Sequence, residues 1–290
     1  MGILTQLVYD VLEVLKWIIL ARVLLSWLPM LGLHISPYNP IVRWLYVLTD
    51  PILRPLVPFS RVGMLDLSPL IAFFLVGLLQ NVLVGRSLAQ TIAFAVALTI
   101  AFSVHECSHA WVADRLGDPT ARWQGRLTLD PRKHLDVLGA IMVLAIGFGW
   151  AKPVPVNPNR LRNGPKTGMA MVAAAGPISN LAMAALAGLT IRLGLIVPVL
   201  GRSFLLPDLP QLVLTFIGLN VVLFVFNLIP IPPLDGFNVL AGLLPYPMSQ
   251  SFRRIEPIGP LILLLLVFFG GSIFTTLITA PAQLLLGWLV

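Results

Sequence analysis

The sequence predicts an all-α polytopic membrane protein of about six to seven membrane segments, with short extended or β pieces in one polar loop. Three observations carry that expectation. Hydrophobic residues make up 58% of the 290 positions and charged residues only 11%, against roughly 25% charged in soluble domains. Apolar runs at 68–84, 91–104, 169–189, 212–226 and 258–269 approach, or with their flanks reach, the roughly 20 residues that cross a hydrocarbon core. The formal charge of +7 is also concentrated: nine basic residues against three acids between Arg115 and Lys166 place +6 of it in one inter-helix segment. Basic residues collect in cytoplasmic loops and face anionic headgroups, so this distribution argues for a bilayer partner and against nucleic acid.

The first 28 residues form a candidate span interrupted by Asp10, Glu13, Lys16 and Arg22. Those charges lie inside the apolar stretch and no small-residue cleavage site follows, so a retained, partly interfacial helix is expected rather than a signal peptide. Prolines at 29, 37, 40, 51, 55 and 58 forbid one continuous helix over 29–67. Short amphipathic pieces at the membrane surface are expected there, with Trp44 and Tyr46 suited to the interface. A helix over 68–84 follows, and Gly85-Arg86 marks a turn and the boundary between two modules, 1–86 and 87–290.

With the basic loop taken as cytoplasmic, 87–113 runs inward, 167–190 outward and 211–228 inward again. The 192–210 connection is then external, and 230–257, with Arg253 and Arg254, is cytoplasmic. Beyond it, 258–270 and 273–290 are apolar but broken by Gly270-Gly271 and Pro281. They fit either one long kinked passage or a helix with a re-entrant piece. The single cysteine, Cys107, excludes an intramolecular disulfide.

From the end of the apolar run 91–104 the chain reads SVHECSHAWVADRLGDP, residues 103–119. On a helix, positions i and i+4 share a face, so His105 and His109 can present nitrogens to one metal with Glu106 beside them. That is the HExxH arrangement of zinc hydrolases, in which the glutamate is general base and not ligand. The plainer reading is two histidines bonding neighbouring helices, but ionisable groups within a span are costly and mark function.

A catalytic zinc takes a third protein ligand and keeps a fourth position for water. Asp235, in FNLIPIPPLDGF (226–237), follows a helix that reaches the same cytoplasmic depth. A proline-rich Asp-Gly stretch is by itself a turn signal; its pairing with the two histidines favours the ligand reading.

HECSH and NLIPIPPLDG together resemble the motifs of the site-2 protease family of intramembrane zinc metalloproteases. Further matches are GRLTLDPRKHLDVLG (125–139), KPVPVNP (152–158) and AAAGPISNLAMA (173–184). The resemblance runs from about Ser87 to the C-terminus. It implies one Zn2+ per chain held by His105, His109 and Asp235, with Glu106 activating water and Asn227 orienting the substrate carbonyl or stabilising the oxyanion. No insertion long enough for a PDZ or nucleotide-binding domain is present, which suggests the compact subgroup. His134 and Asp136 match a family motif outside the zinc set and are read as structural. Asp114 and Arg115 read as a solvated helix end and Arg192 as an interfacial charge. The extended stretches 126–129 and 154–156 could pair with an unwound substrate by strand addition.

In the first module, ARVLLSWLP (21–29), YNP (38–40), LTDPILRPLVP (48–58) and LDLSPL (65–70) resemble the YggT family of small membrane proteins. Arg22, Ser26, Trp27, Asn39, Pro40, Thr49, Pro51, Arg54, Pro55, Asp66, Ser68 and Pro69 fit its pattern, while Asp50 stands where glutamate is common. Nothing in this module is catalytic; His34 is isolated. Its expected role is packing, gating or substrate presentation.

The sequence therefore points to a multi-pass endopeptidase cutting transmembrane protein substrates near the cytoplasmic face, in regulated intramembrane proteolysis. Its expected location is the inner membrane of a bacterium, or an organelle membrane of bacterial descent. The alternative is a non-catalytic membrane scaffold dominated by the YggT-like module, against which the intact Glu106 speaks.

Overall fold

The structure is a computed structural model that describes residues 3–27, 36, 38–62, 65–66, 68–83, 88–134, 136, 151–199 and 205–290. His34, the Gly85-Arg86 turn and the 137–150 part of the basic loop lie outside the described residues. The described residues fall into two compact units, one within Met1–Arg86 and one from Leu88 onward, and each is taken by itself.

The first unit has α1 (Ile3–Trp27), α2 (Pro40–Leu53), α3 (Val57–Ser60) and α4 (Ser68–Leu83), with a two-stranded antiparallel hairpin, β1 (Arg61–Val62) with β2 (Leu65–Asp66), between α3 and α4 in the chain. The prolines act as expected: α2 begins at Pro40 behind the Asn39 cap, whose side chain accepts the Ile41 N–H at 2.9 Å. Glu13, Lys16 and Arg22 inside α1 are paired. Glu13 meets Lys16 at 2.9 Å and the Gln80 amide of α4 at 2.8 Å. Arg22 meets Asp50 at 3.2 Å and stacks on the Tyr46 ring. Polar groups in an apolar layer are tolerated when satisfied in this way.

The second unit is built on α5 (Leu88–Arg115), α8 (Gly164–Arg192) and α9 (Leu209–Asn227), which pack on one another. Between α5 and α8 lie the short α6 (Thr120–Trp123) and α7 (Pro131–His134); after α9 come α10 (Asp235–Leu243), α11 (Tyr246–Arg253), α12 (Gly259–Phe269) and α13 (Gly271–Leu289). Among the described residues four helices are long and apolar enough to cross a membrane: Ala89–Arg115, Gly164–Arg192, Leu209–Asn227 and Gly271–Leu289. The chain is thus a helical, polytopic membrane protein. α4 has 16 residues and α12 has 11, short of that length.

Helix α8 explains the tightness of this bundle. Its buried residues include Gly168, Val172, Gly176, Asn180, Ala184 and Gly188, one stripe of small side chains at every fourth position. Without a solvent-driven hydrophobic force in lipid, helices associate by close packing of such small residues. Outer faces carry exposed Val96, Ile100, Ile178, Leu186, Leu284 and Trp288, as contact with lipid tails requires.

Neither 126–129 nor 154–156 forms a strand. Residues 126–129 are bent, with Arg126 N–H donating to the Ala121 carbonyl at 2.8 Å. Residues 152–157 are free of regular structure, and Pro153 and Pro155 remove alternate donors that a ladder would need. Their remaining donors go elsewhere. Lys152 N–H reaches the His134 carbonyl at 2.8 Å, and Asn157 N–H reaches Asp118 at 2.6 Å. Asp118, fully buried, also accepts from the Thr120 N–H and hydroxyl at 3.2 and 2.5 Å. At the surface Asp130 caps α7, where its hydrogen bonds with Arg132 hold its carboxyl below the usual range.

Asp118 therefore pins one end of 152–157 to the end of α5. Asp118→Ala leaves buried donors unpaired, a cost of about 1–3 kcal/mol. The expected outcome is a lower melting temperature in detergent and faster proteolysis within 152–157; an unchanged melt and cleavage pattern would contradict this role.

Candidate metal centre

Helix α5 has no capping device near His105 and His109; its regularity alone puts them on one face, four residues apart. Their rings meet edge to face, with centroids 4.7 Å apart. They lie six and ten residues before Arg115, about 9–15 Å from the end of the helix at 1.5 Å per residue. Both are buried, at 6% and 8% exposure.

Asp235 arrives from the chain's return after α9. Prolines 230, 232 and 233 end the helix, and the backbone folds back so closely that a Cβ on Gly236 would lie 2.2 Å from the Leu228 carbonyl oxygen. Only glycine permits that approach, and it sets Asp235 at the first turn of α10 against α5. Asp235 Oδ2 lies 3.1 Å from His105 Nε2 and 3.4 Å from His109 Nε2, and the two Nε2 atoms are 3.1 Å apart. Among the described residues these are the only three metal-binding side chains gathered in this way.

The protons at this triangle can be placed. His109 Nδ1 lies 2.7 Å from the Val172 carbonyl, which can only accept, so Nδ1 carries the hydrogen. His105 Nδ1 lies 2.6 Å from Asn180 Oδ1, again an acceptor. In the neutral ring, the form that binds a metal, each imidazole then turns a lone pair on Nε2 toward Asp235 Oδ2, a buried oxygen with no hydrogen-bond partner. In that form three acceptors face one another, an arrangement that a cation among them would satisfy. The sides of the triangle also match about 3.3 Å, the edge of a tetrahedron with bonds of about 2.0–2.1 Å to zinc. The donor set, two imidazoles and a carboxylate, suits Zn2+ with one position left open.

Gly176 completes the cradle. A Cβ there would lie 2.5 Å from His109 Nε2 and 2.6 Å from His105 Nε2, on top of the nitrogens that face the metal position. Pro177 next to it has no N–H to donate to the Ala173 carbonyl, one turn earlier in α8.

Glu106 is buried, and its Oε2 accepts the Val154 N–H at 3.1 Å. The extended run 152–157 thus reaches the carboxylate that the HExxH pattern singles out. Asn227, the last residue of α9, donates from Nδ2 to the Leu223 carbonyl of its own helix at 3.0 Å. That leaves its second N–H and its oxygen for another partner; no contact joins it to the triangle. His134 is fully buried, its Nε2 2.6 Å from the Thr128 carbonyl, and neither it nor Asp136 joins the metal group.

Residues 174 in number align, at 41% identity, with "Putative zinc metalloprotease YwhC" of Bacillus subtilis (strain 168), covering 59% of this chain and 78% of that protein. The chain belongs to the site-2 protease family. A second relative of this site-2 protease chain is "Putative zinc metalloprotease Rip2" of Mycobacterium tuberculosis (strain ATCC 25618 / H37Rv). It is 32% identical over 187 residues, covering 60% of this chain and 65% of that protein. The Rip2 of Mycolicibacterium smegmatis (strain ATCC 700084 / mc(2)155) is 32% identical over 166 residues, 53% of this chain and 57% of its own length. The family model described as CCB3/YggT matches residues 1–87. No solved structure matches the chain.

Family membership makes this chain a zinc metalloprotease, and the triangle is where the metal fits. The sequence missed what surrounds it: Gly176, the Val172 carbonyl, the Val154 N–H and the Asn180–Asn220 pair. Only the asparagines left a signal, as polar residues inside apolar runs.

Purified wild-type protein is expected to hold about one zinc per chain. Gly176→Ala should lower that to near none, as should His109→Ala, when metal is measured by plasma emission spectroscopy on folded, monodisperse samples. Full zinc occupancy in Gly176→Ala would show that the nitrogens do not face this gap.

Proposed function

We propose that this site-2 protease chain is an intramembrane endopeptidase that hydrolyses peptide bonds of transmembrane proteins near the cytoplasmic face, as in regulated intramembrane proteolysis. The observation that carries the reading is the convergence of Asp235 on His105 and His109, which with Glu106 lie in a helix apolar enough to cross a membrane.

In this reading His105, His109 and Asp235 hold Zn2+, which when bound supplies Lewis acidity, polarising a carbonyl and acidifying water. The protein's own groups do the rest. Glu106 accepts the proton of the attacking water and returns it to the leaving amine. The Val154 N–H aims the carboxylate and holds one of its oxygens, leaving the other for water. Asn227, with one amide N–H uncommitted, orients the substrate carbonyl. The proline-broken segments 152–157 and 229–234 bring polar backbone to the site. Irregular backbone at membrane depth is tolerated where it borders a wet cavity, and the same segments supply a path for water.

The cytoplasmic assignment rests on charge. The loop that joins α5 to α8 carries most of the chain's net positive charge, and it leaves α5 at the end nearer the histidines. The match to the CCB3/YggT model and the bacterial relatives support a location in a bacterial inner membrane or an organelle membrane of bacterial descent. In this reading residues 1–86 are a YggT-like module serving packing, gating or substrate presentation, and residues 87–290 are the protease module.

Co-expression of a panel of tagged single-span proteins with wild type and with Glu106→Gln tests this directly. Wild type is expected to cleave at least one of them, and Glu106→Gln to retain zinc while losing about 10²–10⁴-fold in cleavage rate. Equal processing by both would end the endopeptidase reading.

A further inference from the structure

His105 is held from behind by a line of hydrogen bonds that crosses three helices. Its Nδ1 meets Asn180 Oδ1 of α8 at 2.6 Å. Asn180 Nδ2 donates to Asn220 Oδ1 of α9 at 2.8 Å, and Asn220 Nδ2 donates to the Phe216 carbonyl one turn earlier in α9 at 2.9 Å. Both asparagines are wholly buried, at 0% exposure.

The line has one direction. A backbone carbonyl only accepts, so the Asn220 group facing Phe216 is its NH2, and its oxygen must face Asn180. The Asn180 NH2 is then spent on Asn220, and its oxygen must face His105. An oxygen there demands a hydrogen on Nδ1, which in the neutral, metal-binding ring leaves the lone pair on Nε2, the atom turned toward His109 and Asp235. Both amides are wholly buried, so no bulk water competes to reverse the order. Rotating either amide by half a turn would set NH2 against NH2 or oxygen against a carbonyl, each a buried unpaired contact.

We propose that Asn180 and Asn220 are positioning residues that fix the tautomer and ring orientation of His105, and so set the affinity of the site for its metal. Asn220 acts through Asn180 and touches neither metal position nor substrate. Hydrogen bonding of a ligating imidazole through its far nitrogen raises its basicity and fixes its aim, an effect of about 10- to 100-fold on metal affinity. A structural role in helix association alone would instead lower stability without changing the metal site.

The proposal rests on the zinc-site reading, and the test separates the two. Zinc affinity is measured by chelator competition, and the visible absorption bands are recorded for Co2+-substituted protein, for wild type, Asn180→Leu, Asn180→Asp and Asn220→Leu in detergent. Wild type must first bind the metal; if it does not, the zinc-site reading has failed. Given binding, Asn180→Leu is expected to lose about 10- to 100-fold in affinity with altered Co2+ bands. Asn180→Asp, which keeps an acceptor for the Nδ1 hydrogen, should recover wild-type bands and most of the affinity. Asn220→Leu should weaken binding severalfold from two side chains away, and it carries the test if Asn180→Leu does not fold. Folded Asn180→Leu or Asn220→Leu with wild-type affinity and bands would overturn the proposal, whatever their melting temperatures.

Discussion

Inside an apolar bundle, two imidazole Nε2 atoms and one carboxylate oxygen converge on a single position. That arrangement is the constraint from which the second unit follows. The three atoms lie 3.1–3.4 Å apart, and each imidazole commits its Nδ1 hydrogen to an acceptor on its far side. A cation among them would satisfy all three, and the gap at Gly176 keeps that position available.

Helix α8 contributes most to this and carries none of the ligands. Its stripe of small residues lets α5 and α9 come close, and the same stripe meets the histidines at three successive turns. Val172 offers a carbonyl, Gly176 a gap and Asn180 an amide oxygen. Packing and chemistry are therefore one requirement. A side chain large enough to fill the gap at Gly176 would improve neither, because it would occupy the space in front of the nitrogens.

Much of this was legible in the sequence, and the reasons differ by residue. His105, Glu106 and His109 can be read because a helix makes spacing into geometry, and Asp235 because charge bias put its segment at the same depth. The limits are equally physical. Hydropathy finds apolar length, yet among the described residues α4 and α12 run to 16 and 11 residues, short of a span. The stretch 154–156 reads as a strand from its valines, but its prolines deny it a ladder and its one inward N–H serves Glu106. Backbone contributions such as Val172 and Val154 leave no trace in side-chain patterns. Gly176 and Gly236 are visible only once the neighbouring atoms they make room for are known.

X-ray absorption at the zinc edge of the purified chain examines the metal's surroundings without reference to turnover. The expected spectrum shows a four-coordinate ion with only nitrogen and oxygen neighbours at about 2.0–2.2 Å and the multiple-scattering signature of two imidazoles. That signature should fall to one imidazole in His105→Ala and persist in full in Glu106→Gln. A sulfur neighbour at about 2.3 Å, which only Cys107 or a methionine could supply, or a shell with no imidazole, would contradict the site described.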